Sequence, residues 1–210
     1  MTVAIEIIAI IKSPIDMKNL ILSLALLLAA KLSAFAVVDL GSATSQTPYD
    51  RYMAPVKQVF SALQPEATPM SKVEALMREG RGFRYAHTEP YVPAMPEQTA
   101  SRHVGDCKDK ALWLVNQLGD SNARFVIGKM KRGSAMSHAW VMWQNQGQWW
   151  ILDCTMNSRP IQADKVGADE YIPQFSFTKG AAFRHSDKAS GMTADVAGKS
   201  APVASLAANK

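Results

Sequence analysis

The chain has 210 residues, 48% of them apolar, which suits one compact domain with its own core and is short for two. Its formal charge is +5, and removing residues 1–36 takes away three lysines and two acidic residues to leave +4. The basic residues are scattered and no run tracks a phosphate backbone, so nucleic acid is not an expected partner.

Leu20 to Ala30 form an apolar run broken only by Ser23 and preceded by Lys18. That length matches the core of a signal peptide and is too short to span a bilayer. Ala34-Phe35-Ala36 gives the small–any–small pattern that a signal peptidase reads, so residues 1–36 read as a signal peptide cut after Ala36. The segment from Met17 is complete by itself, which makes Met17 a candidate true start. Left uncut, the segment would be a membrane anchor, although Lys31 interrupts the stretch where a span would continue. The expected location is the periplasm or outside the cell, with membrane contact only through this segment.

Residues 37–48 are rich in Ser, Thr and Gly and read as a flexible mature N-terminus. A domain is expected over 49–185. From Tyr49 to Leu63, apolar residues at three- and four-residue steps predict a helix. Thr68-Pro69 resembles an N-cap with Pro at the first helical position, opening a second helix that stops near Gly80-Arg81-Gly82. Residues 83–100 read as a connecting loop with one extended piece at Phe83–Tyr85. Cys107, Ala111, Leu114, Val115 and Leu118 share one face, predicting a helix from Cys107 to Leu118 ended by Gly119. Strands are predicted at Ala123–Lys131, His138–Gln144 and Gln148–Cys154, the last two flanking a turn at Asn145-Gln146-Gly147. Tyr171–Phe177 reads as a further strand interrupted by Pro173. Residues 186–210 lack aromatic residues and read as a disordered tail.

Cys107 opens its helix, where unpaired N–H groups and the helix dipole favour a thiolate. Gly105 permits a tight approach into that turn. A thiolate nucleophile needs a proton shuttle and an orienting partner. His138 begins one strand of the hairpin and Asp153 lies near the end of the other. With an Asn145-Gln146 loop, His138 falls directly opposite Asp153 on the same face. A Gln146-Gly147 loop keeps the face with a small slip, and a plain three-residue loop separates the two. Singly, each residue has a structural reading: a buried small thiol, a structural hydrogen-bonder, a strand end. Cys154 should point to the face opposite Asp153, away from Cys107, and reads as a buried free thiol. A Cys107–Cys154 disulfide is the alternative.

The blocks Gly105-Asp106-Cys107-Lys108-Asp109, Ser137-His138-Ala139-Trp140-Val141 and Trp150-Ile151-Leu152-Asp153 resemble the Cys, His and Asp motifs of bacterial transglutaminase-like cysteine peptidases. Their spacings of 31 and 15 residues fit the compact branch of that superfamily, and Pro96-Glu97 is similar to a stretch that often precedes the Cys motif. The resemblance covers about residues 83–156. It implies a papain-like α+β fold, with N-terminal helices and a nucleophile helix packed on an antiparallel β-sheet. It also implies thiol acyl transfer by Cys107, His138 and Asp153. Hydrolysis of a protein or peptide in the cell envelope is expected. Transfer to an amine, or a non-catalytic peptide-binding module of the same fold, is the alternative.

The backbone N–H of Cys107 and the side chain of Gln98 are candidate oxyanion donors. Relatives can hold calcium with acidic residues around the cysteine, and some have an acidic residue directly after it. Lys108 stands there in this chain, so no metal or other cofactor is expected. Lys108 itself reads either as a solvated helix residue or as a cation favouring the thiolate.

Overall fold

In a computed structural model, residues 38–186 are described. The signal peptide expected over 1–36 and nearly all of the tail expected over 186–210 lie outside them. The elements run β1 (Ser42–Thr44), α1 (Ala54–Ala62), α2 (Met70–Gly82), α3 (Pro96–Arg102), α4 (Cys107–Leu118), β2 (Ala123–Lys131), β3 (His138–Asn145), β4 (Gln148–Leu152), β5 (Ile161–Gln162), β6 (Glu170–Thr178) and β7 (Ala181–Arg184). The seven strands form one antiparallel sheet in the order β1-β7-β6-β2-β3-β4-β5. The arrangement is α+β.

Strand alternation assigns the two faces. Ala139, Val141 and Trp143 of β3 join Phe125, Ile127 and Leu152 against the helices, around Leu112, Leu114 and Leu118 of α4. Trp140 and Met142 point the other way and pack with Val126, Ile151 and Tyr171. Full burial of one large apolar side chain of this kind stabilises the fold by about 1.5–3 kcal/mol. Helix α4 is the central helix, meeting α1, α2, α3, β2 and β3. It is buried over most of its circumference, so its Lys108, Asp109 and Lys110 are also inside. Asp106 caps its N-terminus and Gly119, in the left-handed region at φ 72°, closes its C-terminus.

Several boundaries differ from expectation. Within 37–48, Ser42–Thr44 is a strand on β7, because Arg184, Phe183 and Ala182 offer an edge that composition does not reveal. The helix expected from Tyr49 begins at Ala54, after a 3₁₀ turn over Asp50–Tyr52, with Pro55 in its first turn. Thr68 does not cap α2; its hydroxyl donates to the Leu118 carbonyl at 3.1 Å, tying α2 to the end of α4. Helix α3 begins inside the stretch read as loop, 83–100, and ends two residues beyond it. The extended piece at Phe83–Tyr85 is confirmed as a bridge between Arg84 and Val104. Strand β4 ends at Leu152, two residues early. Pro173 does not interrupt β6, because it sits where the β2–β6 register shifts.

Candidate active site

The loop entering α4 is built by hydrogen bonds between near neighbours. Asp106 Oδ1 accepts the N–H groups of Lys108 (3.1 Å) and Asp109 (3.4 Å), while Asp109 Oδ2 accepts the Asp106 N–H at 3.2 Å. This reciprocal capping leaves Cys107 as the first helical residue, 7% exposed. A Cβ on Gly105 would stand 2.8 Å from the Asp109 Cβ, so glycine is required for the box to close. Among the described residues nothing accepts the Cys107 N–H.

The base side is assembled from the hairpin. Gln146 and Gly147 form its two-residue loop, with φ of 51° and 79°, the signature of a type I′ turn. The register runs from Asn145–Gln148 to Val141–Leu152. Carried one pair further, Asp153 is level with Trp140, one diagonal step from His138 and on the same face. Of the two loops the sequence allowed, the structure has Gln146-Gly147, with its small slip on the same face, and not Asn145-Gln146 with His138 directly opposite Asp153. His138 Nε2 donates to Asp153 Oδ2 at 2.8 Å, and both residues are buried. Asp153 Oδ1 accepts the N–H groups of Thr155 (3.0 Å) and Met156 (3.3 Å) from the following turn.

Burial alone would push the His138 pKa down. The hydrogen bond that the ring donates to Asp153, a hydrogen bond with Cys107 and the charges of both outweigh it and push the imidazole up to about 9. With Nε2 on Asp153, the ring's other nitrogen, Nδ1, is left for the thiol. The structure thus brings Cys107, His138 and Asp153 together. Gln98 is exposed on α3, and its Oε1 accepts the Met95 N–H at 3.3 Å as part of that helix's own cap. His87 pairs with Glu89 at 3.0 Å, and His103 ends α3 against the Phe83 ring.

Sequence reasoning gave Tyr171 and Asn157 no part in the site and read Trp140, with the other tryptophans of the hairpin, as sheet packing or a cleft wall. Tyr171 donates its hydroxyl to Asp153 Oδ2 at 2.9 Å and accepts from Asn157 Nδ2 at 2.6 Å. Its backbone lies in the left-handed region at φ 48°, which costs a non-glycine residue about 1–3 kcal/mol. Trp140 stacks beside His138 (centroids 6.1 Å, planes 21° apart) and meets Tyr171 edge-on at 5.4 Å. No motif spacing signals these partners. The alternation of β3, which sets Trp140 on the His138 face, was the one available hint.

Cys154 is a free thiol, as is Cys107. Its sulfur lies 3.8 Å from the Lys110 carbonyl, and burial pushes its pKa up to about 12, which keeps it protonated and inert.

An α+β fold with a cysteine at a helix start, facing a buried His–Asp pair on a sheet, is the class these observations define. No family model matches the sequence, and no curated protein matches it. Among solved structures, the chain is similar to calcium-bound LapG from Legionella pneumophila at 16% identity, covering 67% of this chain and 81% of that one, with a TM-score of 0.46. EGTA-treated LapG gives 16% identity, 69% and 80% coverage and a TM-score of 0.45. A candidate cysteine protease from Cytophaga hutchinsonii gives 22% identity, 50% and 39% coverage and a TM-score of 0.36.

The residues around Cys107 do not fit a calcium ion, which takes six to eight oxygen ligands. Lys108, fully buried, sends its Nζ to Asp106 Oδ2, to the Thr88 carbonyl (3.0 Å) and to the Thr88 hydroxyl (2.8 Å). Thr88 N–H also donates to Asp106 Oδ2, and Asp109 Oδ1 accepts the Ala94 N–H at 2.8 Å. The carboxylates are therefore taken by donors, and an ammonium stands among the oxygens. Lys108 is not the solvated residue that one sequence reading allowed.

Proposed function

We propose that the chain is a cysteine hydrolase that cleaves an amide bond in a protein or peptide of the cell envelope. The observation that carries this reading is the 2.8 Å bond from His138 Nε2 to Asp153, which fixes the imidazole beside a helix-start cysteine. The Cys, His and Asp blocks in the sequence, with their resemblance to transglutaminase-like peptidases, support it.

In this reading the Cys107 thiolate attacks the amide carbonyl, forming the C–S bond. The Cys107 N–H, which no group among the described residues accepts, donates to the developing oxyanion. His138 gives its Nδ1 proton to the leaving nitrogen as the C–N bond breaks, leaving a thioester. Neutral His138 then takes a proton from water, which attacks the thioester; the C–S bond breaks, the acid leaves, and the Cys107 thiolate is restored beside the protonated imidazole. Asp153 holds the ring in one orientation and balances its charge. The oxygens that would hold a metal already hold Lys108, so no step is routed through one. Gln98 has no role here. Export by the N-terminal segment would place the enzyme in the periplasm or outside the cell.

The test pairs two measurements, both in excess chelator. Alkylation of Cys107 by iodoacetamide at neutral pH should fall roughly tenfold in His138→Ala, as the thiol loses the base beside it. A fragment among exported proteins should be present with the wild type and absent with Cys107→Ala. Alkylation that ignores His138 would overturn the catalytic reading and leave a binding module. A cross-linked species in place of the fragment would turn it to amine transfer.

A further inference from the structure

The buried hydroxyl of Tyr171 has its hydrogen bonds fixed by elimination. Asp153, as a carboxylate, can only accept, so the single phenolic proton goes to its Oδ2. The phenolic oxygen must then accept from Asn157 Nδ2. Burial first, then the Asp153 charge, holds the Tyr171 pKa far above its ordinary value, so this donor is present at every working pH. A directed chain results, running from Asn157 through Tyr171 to Asp153, which His138 meets from the other side.

The backbone is bent to make this contact. Between Ile127 and Gly128 the β2–β6 register slips, with Ile127 opposite Phe175 and Gly128 opposite Pro173. A Cβ on Gly128 would stand 2.1 Å from the Ile172 carbonyl, so β6 comes closer here than any side chain allows. Tyr171 follows at φ 48°, a conformation that a bulky residue rarely adopts. Packing against Trp140 would be met by a phenyl ring as well. The hydroxyl is the part that packing does not account for.

We propose that Tyr171 is a positioning residue of the Cys107–His138–Asp153 site, donating its phenolic proton to Asp153 Oδ2 so that the carboxylate divides its hold between the tyrosine and the imidazole. The proposal rests on the hydrolase reading and deepens it. Asp153 stays in place without Tyr171, because Oδ1 is held by Thr155 and Met156 and its carbonyl accepts the Asn157 N–H at 2.8 Å. Removing the hydroxyl therefore changes how strongly Asp153 holds the His138 proton more than where it sits. A tighter hold on the Nε2 proton makes the imidazolium a weaker acid at Nδ1 and slows transfer of the Nδ1 proton to the leaving group. The other groups that face the pair are Cys107 and Lys110 from α4, Cys154 next in the chain, and Glu170 beside Tyr171.

The test is the titration of His138 by NMR on ¹⁵N-histidine-labelled protein, with its signal assigned by loss in His138→Ala. In Tyr171→Phe the His138 midpoint should rise by roughly half a unit to one unit. Turnover should fall roughly tenfold with KM little changed. Asn157→Ala, which leaves the tyrosine a less polarised donor, should move the midpoint the same way by less, and serves if Tyr171→Phe does not fold. A midpoint unmoved or lowered in both variants overturns the proposal and leaves the hydrolase reading intact. A wild-type midpoint at or below the ordinary histidine value would sink both, and the Cys107 alkylation result tells the two failures apart.

Discussion

His138 and His185 are both buried beside an aspartate, and their proton affinities move in opposite directions. His138 sits 2.8 Å from Asp153, whose side chain is 1% exposed, and is pushed up to about 9. His185 Nδ1 lies 3.5 Å from Asp39, whose side chain is 25% exposed, and its pKa is lowered, first by burial, with the Arg124 cation adding to the effect. A carboxylate that water also solvates, and that other donors share, gives a buried imidazole little support. Asp39 also accepts from the Gly41 and Ser186 N–H groups. His185 Nε2 meets the Ser176 hydroxyl at 2.9 Å. Ser, His and Asp thus stand in the contact order of a hydrolytic triad, yet Ser176 is 0% exposed and no substrate reaches it. One pair faces the helix-start cysteine, where the proposed reaction would use it. The other is a clasp that fastens the segment before β1 to the end of β7.

The sharpest way to break this contrast is to remove each aspartate. Asp153→Ala should lower kcat/KM for the cleaved protein by about 10³–10⁴-fold, through loss of ring orientation and charge balance. Asp39→Ala should leave it within about threefold. Comparable losses in the two variants would mean that the clasp belongs to the site. A smaller effect is expected in stability. His185→Ala leaves the Ser176 hydroxyl buried without a partner, costing about 1–3 kcal/mol and lowering Tm by several degrees in calorimetry.

The smallest effect is in the pH dependence of stability, and its signs are opposite for the two rings. The folded state holds the His138 proton more tightly than the unfolded chain does. That stabilisation is complete below about 6.5 and is lost as pH rises towards about 9. The folded state holds the His185 proton less tightly, so its contribution is present above about 6.5 and is lost as pH falls. Urea titrations across pH should show the alkaline decline vanish in His138→Ala and the acid decline shrink in His185→Gln. Hydrogen exchange in β1 should quicken first on the acid side.

The parts legible in sequence share a property: their signals are local. Helix α4 has both caps and its apolar spacing within 14 residues, and its bounds match the structure residue for residue. Strand β2 likewise reads off its apolar run. Strands β1, β5 and β7 have two to four residues each, too few for a period, and owe their existence to the edges they pair with. Helix α3 has seven residues and begins on Pro96, which reads equally as a loop. At the site, the Cys, His and Asp blocks stand out in the sequence, and the structure brings the three residues together. The hairpin register that relates His138 to Asp153 depends on which two residues turn, and Gln146 takes positive φ with no composition signal for it. Tyr171 was out of reach for a different reason: its partner is 18 residues away and its orientation depends on a strained backbone and a slipped register.

The ammonium of Lys108 lies among Asp106 and two Thr88 oxygens, in the first turn of the helix that Cys107 opens. A dissolved ion in such a cradle would come and go with its concentration in solution, and the loop would order and loosen with it. A charge carried on a four-carbon tether has no dissociation constant to satisfy. Its local concentration is set by covalent geometry and survives dilution, chelation and changes of medium. The contacts that order the loop ahead of Cys107 are therefore inherited with the chain.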